Sequence, residues 1–115
     1  MFLLSKSKRY YYDHLAVHEG NRNLRAVWRI ARQSAAGHPA AFPERLVEIC
    51  LLAGTKTNDV VLDIFAGSGT TGVVAIKHNR QFVGLEINED YCVLAKNRIT
   101  EALGVTPSAS VMSPC

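Results

Sequence analysis

The chain has 115 residues, enough for one domain at most, and its 48% hydrophobic and 20% charged content is ordinary for a globular protein. No apolar run reaches the roughly 20 residues that span a bilayer, and basic residues follow MFLL instead of preceding it, so we expect a cytoplasmic protein without a signal peptide. The three cysteines lack C-x-x-C spacing, so we expect neither a disulfide framework nor a zinc site. The net charge of +3 is uneven, because residues 1–32 hold seven of the 13 Lys and Arg residues and two of the 10 Asp and Glu residues.

Residues 1–37 form the irregular first part of the chain. Aromatic and branched residues in MFLL and YYYD predict a short hairpin over residues 2–13, around SKSKR. LRAVWRI gives a weak strand signal, and its Trp28 is expected to pack in a core or interface. The basic excess of this part indicates either an anionic partner or a solvated surface.

Regular elements are predicted from Pro43 onward. A helix over residues 43–54 begins with a proline suited to its first turn. VVLDIF is predicted to be a buried strand, TTGVVAIKH a short helix and RQFVGLE a second strand. The last helix covers residues 88–103, with Asn88 as its N-cap, and residues 104–115 form a loose tail. Residues 59–103 therefore form one βαβ unit followed by a helix.

The three glycines of VLDIFAGSGTTG, residues 61–72, have several possible uses. A triphosphate loop would need lysine where Val73 stands, and the G-x-S-x-G of a nucleophile elbow is absent. The dinucleotide fingerprint G-x-G-x-x-G is matched formally, and Glu86 lies close to the distance at which an acid binds the ribose. However, Asp63 stands just before the loop and would repel a pyrophosphate at the helix N-terminus.

Asp63 suits a ligand that carries a positive charge. S-adenosyl-L-methionine has an ammonium group, a sulfonium cation and a ribose diol, and it has no phosphate. We expect Asp63 to face its methionine end, directly or through water, Glu86 to accept hydrogen bonds from both ribose hydroxyls, and Ile87 to pack on the adenine. The glycines let the backbone approach the ligand closely. A nicotinamide-binding domain is a more distant alternative.

Three segments carry a family resemblance: HPAAFPERLVEICLLAG, VVLDIFAGSGTTGVVAIKHNRQFVGLEINEDYCVLAKNRI and the upstream NLRAVW. Together, over roughly residues 2–100, they resemble the bacterial DNA methyltransferases that modify exocyclic amino groups of adenine or cytosine. The resemblance implies an α/β, partial Rossmann-like S-adenosylmethionine-dependent methyltransferase fold with an incomplete sheet. It also implies a bacterial or phage restriction-modification context, double-stranded DNA as a partner, and no metal.

The resemblance further implies roles for individual residues. The segment from His38 through Phe42 to Pro43 would flank the methionine moiety, and Glu86 would hold the ribose. Residues 1–37 would be the end of the catalytic half near the DNA, and residues 38–103 the cofactor part. The implied loop residues are Asp63, Phe65, Gly67, Ser68, Gly69, Thr70 and Thr71.

Two departures from the family pattern matter. The proline that usually follows the motif acid is Ile64 here. The catalytic motif, an acid, asparagine or serine followed by Pro-Pro and an aromatic residue, is absent because no two of the four prolines are adjacent. We therefore assign no catalytic residue and expect an unpaired edge on the glycine-loop strand.

The missing motif suggests the C-terminal part of a larger enzyme. It would be a truncated gene product, an incomplete reading frame, or half of a split enzyme completed by a second chain. Alone it is expected to be inactive and a weak cofactor binder. The alternative is a nonenzymatic cofactor-binding or degenerate fragment that needs a second chain.

Overall fold

The computed structural model describes residues 4–18, 28–31 and 42–104. Its regular elements are α1 (Glu44–Gly54), β1 (Val60–Asp63), α2 (Thr70–Lys77), β2 (Gln81–Gly84) and α3 (Glu89–Ala102), after a 3-10 turn at Leu15–Val17. The two strands pair in parallel, with Val60 opposite Gln81 and Asp63 opposite Gly84. The predicted α/β unit and the order of its elements are confirmed.

The helix starts follow local chemistry. Pro43 has φ −63° and ψ 136°, so it precedes α1 as the N-cap instead of occupying the first turn as predicted. Asn88 caps α3 as predicted, since its side chain accepts a hydrogen bond of 3.2 Å from the backbone N–H of Tyr91. Glu89 and Asp90 lie in the first turn of α3, where their charges favour the helix dipole.

Helix α2 forms the centre of the packed region and contacts α1, α3 and both strands. Its Val74 and Ala75 are buried against Leu51 of α1 and the partly buried Phe82 of β2. A Cβ on Gly72 would lie 2.7 Å from the Phe82 ring. This glycine therefore allows α2 to pack closely on the sheet.

A second apolar cluster lies on the other side of α1. Ile49 and Ala53 of α1 bury Val17, and Trp28 packs against them. The backbone N–H of Asp13 donates to the Ala53 carbonyl over 2.8 Å. The prediction that Trp28 serves packing is confirmed.

The strand ends at Asp63, just before the loop. The prediction that it is buried is wrong, because only one of its faces is covered. Val60 and Leu62 are 58% and 62% exposed, and Val83 on the neighbouring strand is 48% exposed. Side chains alternate between the faces of a sheet, and the described helices cover one face only. The other face is apolar and open.

The predicted hairpin over residues 2–13 is also wrong, because its described part, residues 4–13, contains no strand. An isolated two-stranded hairpin is marginally stable at best, and here Tyr10, Tyr11 and Tyr12 stay exposed. The Asp13 carboxylate instead accepts hydrogen bonds from the N–H groups of Leu15 and Ala16. Residues 28–31 likewise form no strand, while the rest of LRAVWRI, the segment around His38 and nearly all of the tail lie outside the described residues. Within the described ranges, no helix is long and apolar enough to cross a membrane.

Candidate functional site

The loop between β1 and α2 extends the parallel pairing of the two strands. The Leu85 N–H donates to the Asp63 carbonyl, and the Ala66 N–H donates to the Leu85 carbonyl, both over 2.9 Å. The Gly69 N–H then donates to the Ala66 carbonyl over 2.8 Å, which closes the turn before α2. Gly67 and Gly69 have φ values of 52° and 77°. This left-handed backbone explains the first two glycines of the motif.

Gly69 also sets the distance between the loop and α3. A Cβ at this position would lie 2.8 Å from the Ala95 Cβ and 2.9 Å from the Ala95 Cα. Neither atom can rotate away, since one belongs to the helix backbone and the other is fixed to it. The loop and α3 can therefore approach this closely only with glycine at residue 69.

Glu86, just after β2, contacts the loop directly. Its Oε2 accepts a hydrogen bond of 2.7 Å from the Gly67 N–H, and its Oε1 accepts one of 2.9 Å from the Asn88 N–H. Hydrogen bonds to an ionised acceptor are among the stronger ones in proteins. Two backbone amides therefore orient this carboxylate before any ligand arrives.

Asp63 is tied into the same loop at the end of β1. Its Oδ1 accepts from the Phe65 N–H over 3.0 Å, and its Oδ2 accepts from the Thr71 hydroxyl over 2.6 Å. The acid that sequence reasoning placed toward a ligand thus also shapes the loop. Its partly buried charge lies between the strand end and the first turn of α2.

Arg98 on α3 is a loop contact that sequence reasoning missed. Its Nη1 lies 2.7 Å from the Ser68 carbonyl oxygen, 3.0 Å from the Ser68 hydroxyl and 3.4 Å from the Thr70 hydroxyl. Ser68 and Thr70 are both 4% exposed. The sequence contains one indication of this contact, because Arg98 comes three residues after Ala95 and helical spacing places both on one face of α3. In the structure this face meets the loop.

An open cleft of about 590 Å³ lies beside the loop. Its walls are mostly apolar, with two carboxylates and one buried thiol, and the volume falls in the usual range for small-molecule sites. Phe65 and Ile87 stand at its edge, 82% and 99% exposed. The apolar walls suit a flat apolar group, and the carboxylates suit a ligand that also carries hydroxyl donors or a positive charge. The lining residues are Ile64, Phe65, Leu85, Glu86, Ile87, Glu89 and Cys92.

The structure divides the predicted site residues into three groups. Phe65, Glu86 and Ile87 lie together at the cleft, with Gly67 hydrogen-bonded to Glu86. Asp63, Ser68, Gly69, Thr70 and Thr71 build the loop and the first turn of α2. Phe42 and Pro43 precede α1 and do not line this cleft, and His38 lies outside the described residues. In the part of the chain that is described, no group of three His, Cys, Asp or Glu residues is placed to hold a metal ion.

Charged side chains away from the cleft connect α1 to the end of α2. Glu48 accepts from Arg45 over 2.7 Å and lies 3.0 Å from His78, and Lys77 lies 2.7 Å from Glu44. The hydrogen bond from Arg45 lowers the pKa of Glu48 despite its partial burial. The Arg45–Glu48 pair lies within α1, whereas the Glu48–His78 and Glu44–Lys77 contacts link α1 to the end of α2.

The DNA methylase family model matches residues 2–97 of the chain. The Type II methyltransferase M.Cfr9I of Citrobacter freundii is 49% identical over 105 residues, which cover 86% of this chain and 35% of that relative. M.SmaI of Serratia marcescens is 46% identical over 107 residues, 86% of this chain and 37% of that relative. The chain thus spans about a third of the length of these curated relatives.

Two solved structures share the fold. The PvuII DNA methyltransferase, described as cytosine-N4-specific, matches 87% of this chain and 43% of its own with a TM-score of 0.72 and 26% identity. The M1.HpyAVI–SAM complex matches 79% of this chain and 44% of its own with a TM-score of 0.66 and 29% identity.

Proposed function

We propose a function from the premise that this chain belongs to the bacterial DNA methylase family, whose members modify amino groups. The chain is the S-adenosylmethionine-binding part of a DNA methyltransferase. The bound cofactor would supply the methyl group for the exocyclic amine of adenine or cytosine. The chain's own residues would bind the cofactor and orient it.

The oriented carboxylate of Glu86 carries this proposal. Two backbone amides hold it at the edge of an open cleft, 2.7 Å from the first glycine of the loop. A carboxylate fixed in this way is suited to accept hydrogen bonds from vicinal hydroxyls, which the ribose of an adenosyl group presents. Phe65 and Ile87, exposed at the cleft edge, offer apolar surface for the adenine.

The charge of the loop supports a cationic ligand over an anionic one. Asp63 and Glu86 both touch the loop through hydrogen bonds from its backbone. A pyrophosphate here would meet two carboxylates, whereas an ammonium or sulfonium group would be attracted by them. This favours S-adenosylmethionine over a nicotinamide dinucleotide for the same glycine spacing.

Calorimetric or NMR titration of the chain with S-adenosylmethionine, S-adenosylhomocysteine and NAD tests this proposal. We expect both adenosyl ligands to bind in preference to NAD. Glu86→Gln should weaken binding because the amide nitrogen of glutamine cannot accept a hydrogen bond. Glu101→Gln removes the same charge from an exposed position on α3 and should bind like wild type. Binding of NAD alone would overturn the proposal.

We further propose that the catalytic residues lie outside these 115 residues. No two prolines of the chain are adjacent, so the X-Pro-Pro-aromatic motif is absent from it. The open sheet face formed by Val60, Leu62, Val83 and Leu85, each 48–62% exposed, offers a surface for further polypeptide. The purified chain should transfer no labelled methyl group to DNA, and transfer by the chain alone would contradict this.

We also propose that the basic beginning of the chain lies near the DNA. Lys6, Lys8 and Arg9 are exposed and precede three exposed tyrosines. Binding that depends on such contacts weakens as salt rises, because each neutralised phosphate releases counterions. Replacing these three residues by glutamine should lower the salt dependence of DNA binding, and an unchanged dependence would place the contact elsewhere.

A further inference from the structure

We propose that Arg98 is a positioning residue of the cofactor site: it fixes the peptide unit between Ser68 and Gly69 and thereby keeps the glycine loop in its ligand-binding shape. This inference rests on the proposed function, since the shape matters only if the loop holds S-adenosylmethionine. Arg98 itself would not touch the ligand.

The contact geometry identifies the fixed group. The Nη1 of arginine carries two hydrogens, so the two shortest contacts, to the Ser68 carbonyl at 2.7 Å and the Ser68 hydroxyl at 3.0 Å, use its donors. The same peptide unit contains the Gly69 N–H, which donates to the Ala66 carbonyl over 2.8 Å. The unit is therefore held at both of its ends.

The residues around this peptide unit explain why it needs fixing. Gly67 and Gly69 flank Ser68, and glycine adopts positive and negative φ with similar ease. The loop sequence alone would therefore leave the orientation of the unit open. A side chain from another helix, 30 positions along the sequence from Ser68, selects one orientation.

The orientation of Ser68 bears directly on the ligand-binding carboxylate. Gly67, the residue before Ser68, donates its N–H to Glu86 over 2.7 Å. If the loop turned at Ser68, that hydrogen bond would break and the carboxylate would lose one of the two amides that orient it. The chain of contacts runs from Arg98 through Ser68 and Gly67 to Glu86.

Helix stability alone does not favour a cation at this place. Thr70 is the first residue of α2, and its hydroxyl lies 3.4 Å from the Arg98 nitrogen. A positive charge beside a helix N-terminus opposes the helix dipole. The guanidinium is nevertheless placed against two side chains that are 4% exposed, where it satisfies buried oxygens.

The test compares Arg98→Met, which keeps the unbranched stem without the donors, with Lys96→Met, an exposed position on the same helix. Affinity for S-adenosylhomocysteine is measured by NMR titration at a temperature where all variants are folded. Hydrogen exchange of the backbone amides is measured without ligand. We expect Arg98→Met to bind about tenfold more weakly, because it leaves buried oxygens without their donor. The Gly67 and Gly69 amides should exchange faster, and Lys96→Met should match wild type in both measurements.

Wild-type affinity together with wild-type loop exchange in Arg98→Met would overturn the inference and leave the proposed function intact. A wild-type chain that binds neither adenosyl ligand would instead refute the proposed function. If Arg98→Met does not fold, Arg98→Lys decides, because lysine ends one bond short of the arginine nitrogen and cannot keep the 2.7 Å contact. Its loop amides should exchange faster than those of wild type, and equal exchange would overturn the inference.

Discussion

Replacing Gly69 by alanine combines two separate penalties that the structure identifies. The residue has φ +77°, where an L-residue costs about 1–2 kcal/mol. The new Cβ would lie 2.8 Å from the Ala95 Cβ and 2.9 Å from its Cα, and overpacking of this kind costs about 1–3 kcal/mol. The two penalties together predict a loss of about 2–5 kcal/mol in the free energy of unfolding.

Other glycines of the chain separate these penalties. Gly104 has φ +68° with nothing within 4 Å, so Gly104→Ala should cost about 1 kcal/mol from the backbone alone. Gly54 ends α1 without a positive φ and with open space around its Cβ position, so Gly54→Ala should stabilise by about 0.5–1 kcal/mol. Gly69→Ala should therefore be much the most damaging of the three.

Thermal and urea denaturation followed by circular dichroism measure these differences. In a domain of this size, about 1 kcal/mol shifts the Tm by several degrees, so Gly69→Ala should lower it by roughly 10 °C or more. The m-value should stay unchanged if the folded and unfolded states keep their compactness. A Tm for Gly69→Ala within about 2 °C of wild type, or equal effects at Gly69 and Gly104, would contradict the predicted penalty of the contact with Ala95.

Three further predictions concern charged side chains. Arg80→Met should lower the free energy of unfolding by about 1–3 kcal/mol in denaturation, because it removes the donor to the Thr55 carbonyl, 2.8 Å away near the end of α1. Arg80→Lys should not restore this stability, since three nitrogens of the arginine donate hydrogen bonds. The lowered pKa of Glu48 means that its ionised form stabilises the fold at neutral pH, and this contribution is lost as the pH falls through the folded-state pKa. The Tm of Glu48→Gln should therefore fall less than that of wild type between about pH 6 and about pH 3. An equal fall in the two proteins would contradict this. Asp63→Asn keeps hydrogen-bonding capacity without charge, so it should weaken S-adenosylmethionine binding with little change in Tm. Asp63→Ala should lower both the affinity and the Tm. Equal Tm values for the two variants would contradict the role of the Asp63 hydrogen bonds in shaping the loop.

The helices and the order of elements could be read from the sequence because their signals are local. Apolar residues at helical spacing and the Asn88 cap place α3 to within one residue of each end. Asp63 and Glu86 could be found because each acid lies at or near the carboxyl end of a predicted strand, and Asp63 stands just before the glycine loop. The carboxyl ends of parallel strands meet at one edge, so local reasoning brought both acids to the same site.

The features that sequence reasoning missed depend on distant parts of the chain. Whether Val60 and Leu62 are buried depends on what covers the second face of the sheet, and an apolar run does not report that. The contact of Arg98 with Ser68 spans 30 positions and has no fixed spacing. The strand prediction for the tyrosine segment failed because strand propensity needs a packed neighbouring strand to take effect.

The proposed cofactor site can be tested by a structure of the chain bound to S-adenosylhomocysteine. We expect both ribose hydroxyls within hydrogen-bond distance of the Glu86 carboxylate, with the adenine beside Ile87 and the Gly67–Glu86 hydrogen bond retained. Asp63 should lie on the side of the amino-acid portion, directly or through a water molecule. A ligand bound away from this cleft, or with its ribose turned away from Glu86, would contradict the proposed role of Glu86.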